Sequence, residues 1–233
     1  MSNNEENYYC MCPGIESLTG ADRAKAQGTK AALLSGSKWT PGSTVTVKFL
    51  GGSPALQERV KNVALVWTTI ANLRFDFVQE GDADIRIAFQ QGRGSWSYLG
   101  TVARQIDASE PTMNYGWLTD DSTDDQVRRV VLHEFGHALG LIHEHQNPNR
   151  AIQWNRDAVI NDLQRPPNNW DLETIENNMF RKYDPASVHS SPVDAESIMM
   201  YPIPLAWTLD GFSAGLNTNL TETDKQIVRE AYS

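Results

Sequence analysis

Val130-Val131-Leu132-His133-Glu134-Phe135-Gly136-His137-Ala138-Leu139-Gly140-Leu141-Ile142-His143-Glu144-His145 is the stretch whose reading decides the fold. Its first half is patterned as a helix. Val127, Val130, Val131, Phe135, Ala138 and Leu139 recur near three- and four-residue spacing and make one apolar stripe. His133 and His137 fall on one face about one turn from each other, so both rings can reach a single metal ion. Glu134 follows the first histidine and can set its carboxylate beside the metal without ligating it. Gly140, having no Cβ, can take the left-handed conformation that ends a helix. The turned chain then brings His143 back as a third ligand.

Three neutral imidazoles with a fourth position left to water form the donor set of a catalytic zinc site, whereas a structural site closes all four positions with protein. One zinc ion per chain is expected. Zinc lowers the pKa of its water and polarises a carbonyl, leaving proton transfer to a nearby carboxylate, here Glu134. Any one of these histidines alone would read as an ordinary core residue. Five specified residues at fixed spacing on an amphipathic helix do not.

The chain has 233 residues, 40% of them hydrophobic and 21% charged, which suits one globular domain with a sizeable core. Its formal net charge of −9 argues against a nucleic-acid partner held through phosphates. No apolar run reaches the length of a membrane span, so no membrane partner is expected. The opening Met-Ser-Asn-Asn-Glu-Glu-Asn is polar and acidic, with no basic or apolar segment of a secretory signal. The expectation is a cytoplasmic protein, or one exported by a non-Sec route, acting as a monomer. Cys10 and Cys12 are its two cysteines, and such a close pair cannot staple distant parts of a fold.

Residues 1–30 have weak periodicity and read as an arm or pro-segment, with a short helix near Ala21–Gln27. Residues 31–233 read as one catalytic domain. Thr44–Phe49, Arg74–Val78 and Ala83–Phe89 read as strands, the last alternating Ala83, Ile85, Ile87 and Phe89 against Asp84, Arg86 and Ala88. Thr112–Tyr115 reads as a short edge strand. Ser53 caps a helix with Pro54 at its first position, and its apolar stripe continues to Ala71. Ser122 or Thr123 caps the metal helix. Arg156–Leu163 and Asp171–Phe180 read as helices, and Thr221-Glu222-Thr223-Asp224 is the capping box of a terminal one.

A second constellation, Ser197-Ile198-Met199-Met200-Tyr201, follows His143 by 54 residues. With the histidine motif it resembles the Met-turn of the metzincins, and Ser-Ile-Met-Met-Tyr resembles the version found in the astacin family. Glu144-His145 and the upstream Gly94-Ser95-Trp96-Ser97-Tyr98-Leu99-Gly100 are similar to that family as well. The resemblance covers roughly Trp39 to Ser233 and is greatest to bacterial members. It implies an α+β, two-lobed catalytic domain: an upper lobe, 31–143, with a twisted mixed sheet over the helices, and a lower, irregular lobe, 144–233, ending in the terminal helix. Zinc would lie in the cleft between them.

The resemblance also implies roles. His133, His137 and His143 would ligate zinc, and Glu134 would be the general base. Met199 would form the floor under the metal, and Tyr201 would be a displaceable fifth ligand that turns to hold the oxyanion. Glu144 would be the buried acid behind the third histidine, and His145 a supporting residue. Peptides or proteins would be the substrates, held extended along a sheet edge and cut internally. Ser95 and Asn72 stand where secreted members carry cysteines, and residues 1–30 lack the family's aspartate-bearing latency motif. Cys10 or Cys12 offers another restraint, because a thiolate can take the fourth zinc position. Two rivals stand beside the endopeptidase reading: a zinc module that binds peptides without cutting them, and a hydrolase of some other small amide.

Overall fold

The computed structural model describes Tyr9, Cys10 and residues 37–149, 151–183 and 192–233. The short helix expected at 21–27, and Cys12, lie outside those residues. Five strands form one sheet: β1 (Thr44–Phe49), β2 (Arg74–Phe77), β3 (Ile85–Ala88), β4 (Trp96–Ser97) and β5 (Met113–Asn114), in the order β2-β1-β3-β5-β4. The first four in that order are parallel, and β4 runs antiparallel to β5, with Trp96 opposite Asn114 and Ser97 opposite Met113. The Met113–Asn114 segment is therefore an inner strand, not the edge that its sequence predicts. Strand β4 takes the edge instead.

One face of β3 departs from expectation. Alternation predicts a solvated side, yet Arg86 is buried. Its guanidinium donates to the carbonyls of Ala83, Ile106, Asp107 and Glu110, all within 2.7–3.1 Å. Such burial is tolerated because each donor finds an oxygen. The outcome is that the loop ahead of β5 is folded onto the sheet rather than lifted off it.

Helix α1 (Pro54–Ala64) starts as predicted, with the Ser53 hydroxyl accepting the Leu56 N–H and Pro54 in the first turn. It stops at Ala64, where the stripe continues as a 3₁₀ turn over Trp67–Thr69. Helix α2 (Asp124–Ala138) packs on α1. Thr123, not Ser122, caps it in a reciprocal box with Gln126. Helices α3 (Arg156–Leu163) and α4 (Leu172–Ile175, continued by a π turn to Phe180) follow, and α5 (Glu222–Ala231) closes the chain.

Two apolar clusters result. The first joins the sheet, α1, α2 and Met199, and it includes Val228, Ala231 and Tyr232 of the terminal segment. The terminal helix therefore packs into the upper core although it ends the lower stretch of chain. The second cluster gathers Val159, Leu163, Trp170, Ile175, Met200, Tyr201 and Trp207, together with Tyr9 and Cys10. Met199 and Met200 are adjacent in sequence and serve different cores, so the turn between them is the seam. Among the described residues no helix is long and apolar enough to cross a membrane.

Candidate metal centre

The last four carbonyls of a helix have no partner within it and need donors from outside. Helix α2 is supplied by aromatic side chains from distant parts of the chain. Trp39 Nε1 donates to Ala138 O at 2.7 Å and Tyr232 Oη to Leu139 O at 2.7 Å. Trp67 Nε1 donates to Leu132 O at 3.1 Å, nearly two turns earlier and beside His133 in sequence. Gly140, at φ +92°, ends the helix as expected, and its N–H returns to His137 O. The ligand-bearing turn is thus fixed from three sides.

The histidines converge as predicted: one nitrogen from each of His133, His137 and His143 lies within 4.8 Å of the others, and all three are buried. Each ring turns its Nδ1 to an oxygen: Ile198 O at 2.8 Å, Leu141 O at 2.7 Å and Gln146 Oε1 at 3.3 Å, respectively. A carbonyl oxygen cannot donate, so each Nδ1 carries the proton and each Nε2 keeps a bare lone pair. The Nε2 atoms of His137 and His143 are 3.1 Å apart. The Nε2 of His133 is buried without a hydrogen-bond partner among the described residues. Lone pairs forced together away from water repel unless a cation sits among them, so this donor set fits a zinc ion. Burial, and then the neighbouring imidazoles, holds His133 and His143 well below the usual histidine pKa; burial alone takes His137 down to about 4. All three imidazoles are neutral at pH 7.

Gln146 is a residue at the site that the sequence reading missed. Its Nε2 donates to Asn177 O at 2.8 Å and Arg181 O at 3.2 Å, which leaves Oε1 facing His143. Arg129, one turn before His133, was missed too. Burial pushes the Glu134 carboxyl well up, offset in part by the Cys10 thiol and the Arg129 guanidinium. Placement on a helix four residues before a ligand was the available signal for Arg129. For Gln146 it was an amide three residues past the third histidine.

Met199 lies under the helix as expected, its sulfur packed against the Cα of Gly136 so closely that no Cβ fits there. Tyr201 is buried, with ring centroids 4.1 Å from His143 and 6.1 Å from His133. Its hydroxyl donates to Cys10 O. Cys10 Sγ lies within 4.8 Å of a His133 ring nitrogen and a Glu134 oxygen. Burial, and then the Glu134 charge, raises its thiol pKa well above the usual value. Glu144 Oε1 accepts from Asn147 Nδ2 at 3.0 Å and Asp194 N at 3.1 Å, while the Glu144 N–H reaches Met199 O. His145 lies tilted against Tyr201 with ring centroids 4.7 Å apart, and its Nε2 meets Asn178 O at 2.8 Å. Ser95, where a cysteine would stand in secreted relatives, is buried and accepts the Gly116 N–H at 3.1 Å.

Known proteins are similar to this chain. The solved structure of myroilysin is 44% identical, with a TM-score of 0.82, covering 84% of this chain and 96% of that one. Zinc metalloproteinase nas-38 of Caenorhabditis elegans is 25% identical over 78% of this chain and 22% of its own length. Interstitial collagenase of Bos taurus is 31% identical over 38% of this chain and 21% of its own. The chain thus matches about a fifth of the length of these curated relatives. The peptidase family described as Astacin matches residues 35–232. With its three convergent histidines, adjoining glutamate and underlying methionine turn, this chain belongs to the astacin family.

Proposed function

We propose that this chain is a zinc-dependent endopeptidase acting on peptides or proteins as a monomer, with no nucleic-acid partner. The convergence of three bare imidazole nitrogens beside the Glu134 carboxylate carries the reading. His133, His137 and His143 would hold one zinc ion, which when bound supplies a Lewis acid that acidifies water and polarises a carbonyl. Glu134 takes the proton of the attacking water and delivers it to the leaving amine. Burial raises its pKa, which favours holding that proton until it is handed on. Tyr201 turns its hydroxyl to the developing oxyanion. Met199 is the floor, and Glu144 braces the third-histidine loop against it. The edge strand β4, packed beside α2, receives an extended peptide by strand addition.

In the intact chain Cys10 fills the place of the attacking water. Its burial, its nearness to His133 and Glu134, and the Tyr201 bond to its carbonyl support this. A thiolate ligand closes the site, so no nucleophile forms. Cys12 is the other thiol that the sequence offers.

A digest of a peptide library, read by mass spectrometry, tests the activity. Internal cuts that disappear on chelation support it. End-trimming, or intact peptides with zinc bound, would overturn it. Cys10→Ser should raise initial activity at unchanged zinc content; equal initial activity would remove the thiol lock and leave the peptidase reading standing.

A further inference from the structure

Tyr9 comes from a stretch without periodicity, yet its ring is almost fully buried at 5% exposure. It sits in a box of three aromatic walls. Trp207 stacks on it at 5.2 Å and 25°, Tyr201 meets it edge-on at 5.4 Å, and Trp170 does so at 6.3 Å. The Tyr9 N–H donates to Asn168 Oδ1 at 3.3 Å. The next residue, Cys10, lies beside His133 and Glu134.

Two of the walls, Trp207 and Trp170, are fixed by bonds that do not involve the arm, whereas the Tyr201 hydroxyl is bonded to the Cys10 carbonyl. Trp207 Nε1 donates to Asp162 Oδ2 at 2.7 Å, which orients the indole from α3. The Trp207 carbonyl accepts the Asn155 N–H at 2.8 Å, and the Trp170 N–H donates to Leu163 O at 2.9 Å. A pocket held by its own scaffold keeps its shape when its occupant leaves. Offset and edge-on ring packing favours a planar aromatic side chain over an aliphatic one of equal bulk.

We propose that the box of Trp170, Trp207 and Tyr201 is a substrate side-chain site that selects Tyr, Phe or Trp in a peptide bound across the metal. The inference rests on reading the cleft as a peptidase site. Tyr9 and Cys10 occupy it as a peptide would, one side chain in the box and the neighbouring residue at the centre. When the arm leaves, the vacated box takes the aromatic residue of a substrate, at one fixed position flanking the cut.

The test uses the full chain carrying Tyr9→Ala and Cys10→Ser, loaded with zinc and given a proteome-derived peptide library. Cut sites should show aromatic residues enriched about tenfold at one flanking position, as expected for several ring contacts. Trp170→Leu should flatten that preference while other peptides are still cut, and Trp170→Phe should restore it. Cleavage with no positional aromatic preference overturns the proposal. If nothing is cut, the peptidase reading fails, and binding decides the box separately. A fluorescein-labelled peptide containing Tyr should then bind the Glu134→Gln form of the same chain about tenfold more tightly than its Ala twin. Equal affinity overturns it.

Discussion

Asp224, in the first turn of the terminal helix, is joined to His133 through a single residue: its Oδ2 accepts the Ile198 N–H at 3.0 Å, and the Ile198 carbonyl accepts His133 Nδ1–H at 2.8 Å. The same carboxylate accepts the Ser197 hydroxyl at 2.6 Å and the Thr221 N–H at 3.0 Å. Capping the helix and orienting the first histidine are therefore one task.

Asp224→Asn replaces one accepting oxygen with an amide that faces donors. It should cost about 1–3 kcal/mol of stability, the range for a buried polar group left unsatisfied. A thermal melt should show a lower Tm, and kcat should fall with KM nearly unchanged as the His133 ring loosens. A variant matching the parent in both would break the proposed link.

Gln146→Leu removes the acceptor for His143 Nδ1 and frees the ring to change tautomer. Zinc affinity, read by competition with a fluorescent chelator, should drop about 10–100-fold, typical for partners that orient a ligating histidine. Circular dichroism should stay the same. Unchanged affinity would mean that the imidazole is held by its ring packing alone.

Glu134→Ala and Tyr201→Phe should separate binding from chemistry. Glu134→Ala should keep zinc and lose about 10²–10⁴ in turnover. Tyr201→Phe should lose about 10²–10³ in kcat with little change in KM, as for one oxyanion donor. In the intact chain Tyr201→Phe also removes the bond to the Cys10 carbonyl. Its Cys10 should therefore react faster with a thiol reagent than the parent's. A Tyr201→Phe effect confined to KM would assign the ring to packing only.

Asp84 predicts an acid sensitivity of the sheet. Burial pulls its pKa up, but the bonds from Arg104 and from the Thr46 N–H and hydroxyl outweigh it and bring the net value below normal. A depressed folded pKa adds stability above the unfolded value of about 3.9, and that stability is lost as pH falls through the folded one. Asp84→Asn should thus lower the urea midpoint at neutral pH, and the gap to the parent should close below about pH 4. A gap that persists at low pH would point to lost geometry instead of lost charge.

The centre was legible in the sequence because its chemistry is local. The ligands fall on one helix and one turn, and the Gly140 stop and Thr123 cap are signals within a few residues. Helices α1, α3 and α5 were legible for the same reason. What stayed hidden depends on partners far along the chain. Arg86 reads as a solvated position because three of the four carbonyls that accept it belong to a loop folded back from elsewhere. Met113–Asn114 reads as an edge because nothing in four residues announces that Trp96–Ser97 will pair outside it. Asp224 reads as a cap and no more, since its second set of bonds spans 26 and 27 residues.

Gly136 has a consequence of scale. It is the absent methyl group between the helix that carries the metal ligands and the turn that supports them, and Met199 Sδ occupies the space. Ile198, which orients His133, is the residue before that methionine. Adding one carbon at position 136 would meet the methionine sulfur, and either that side chain or the helix would have to shift. The smallest residue in the motif thus sets how closely the turn that supports the metal helix can approach it.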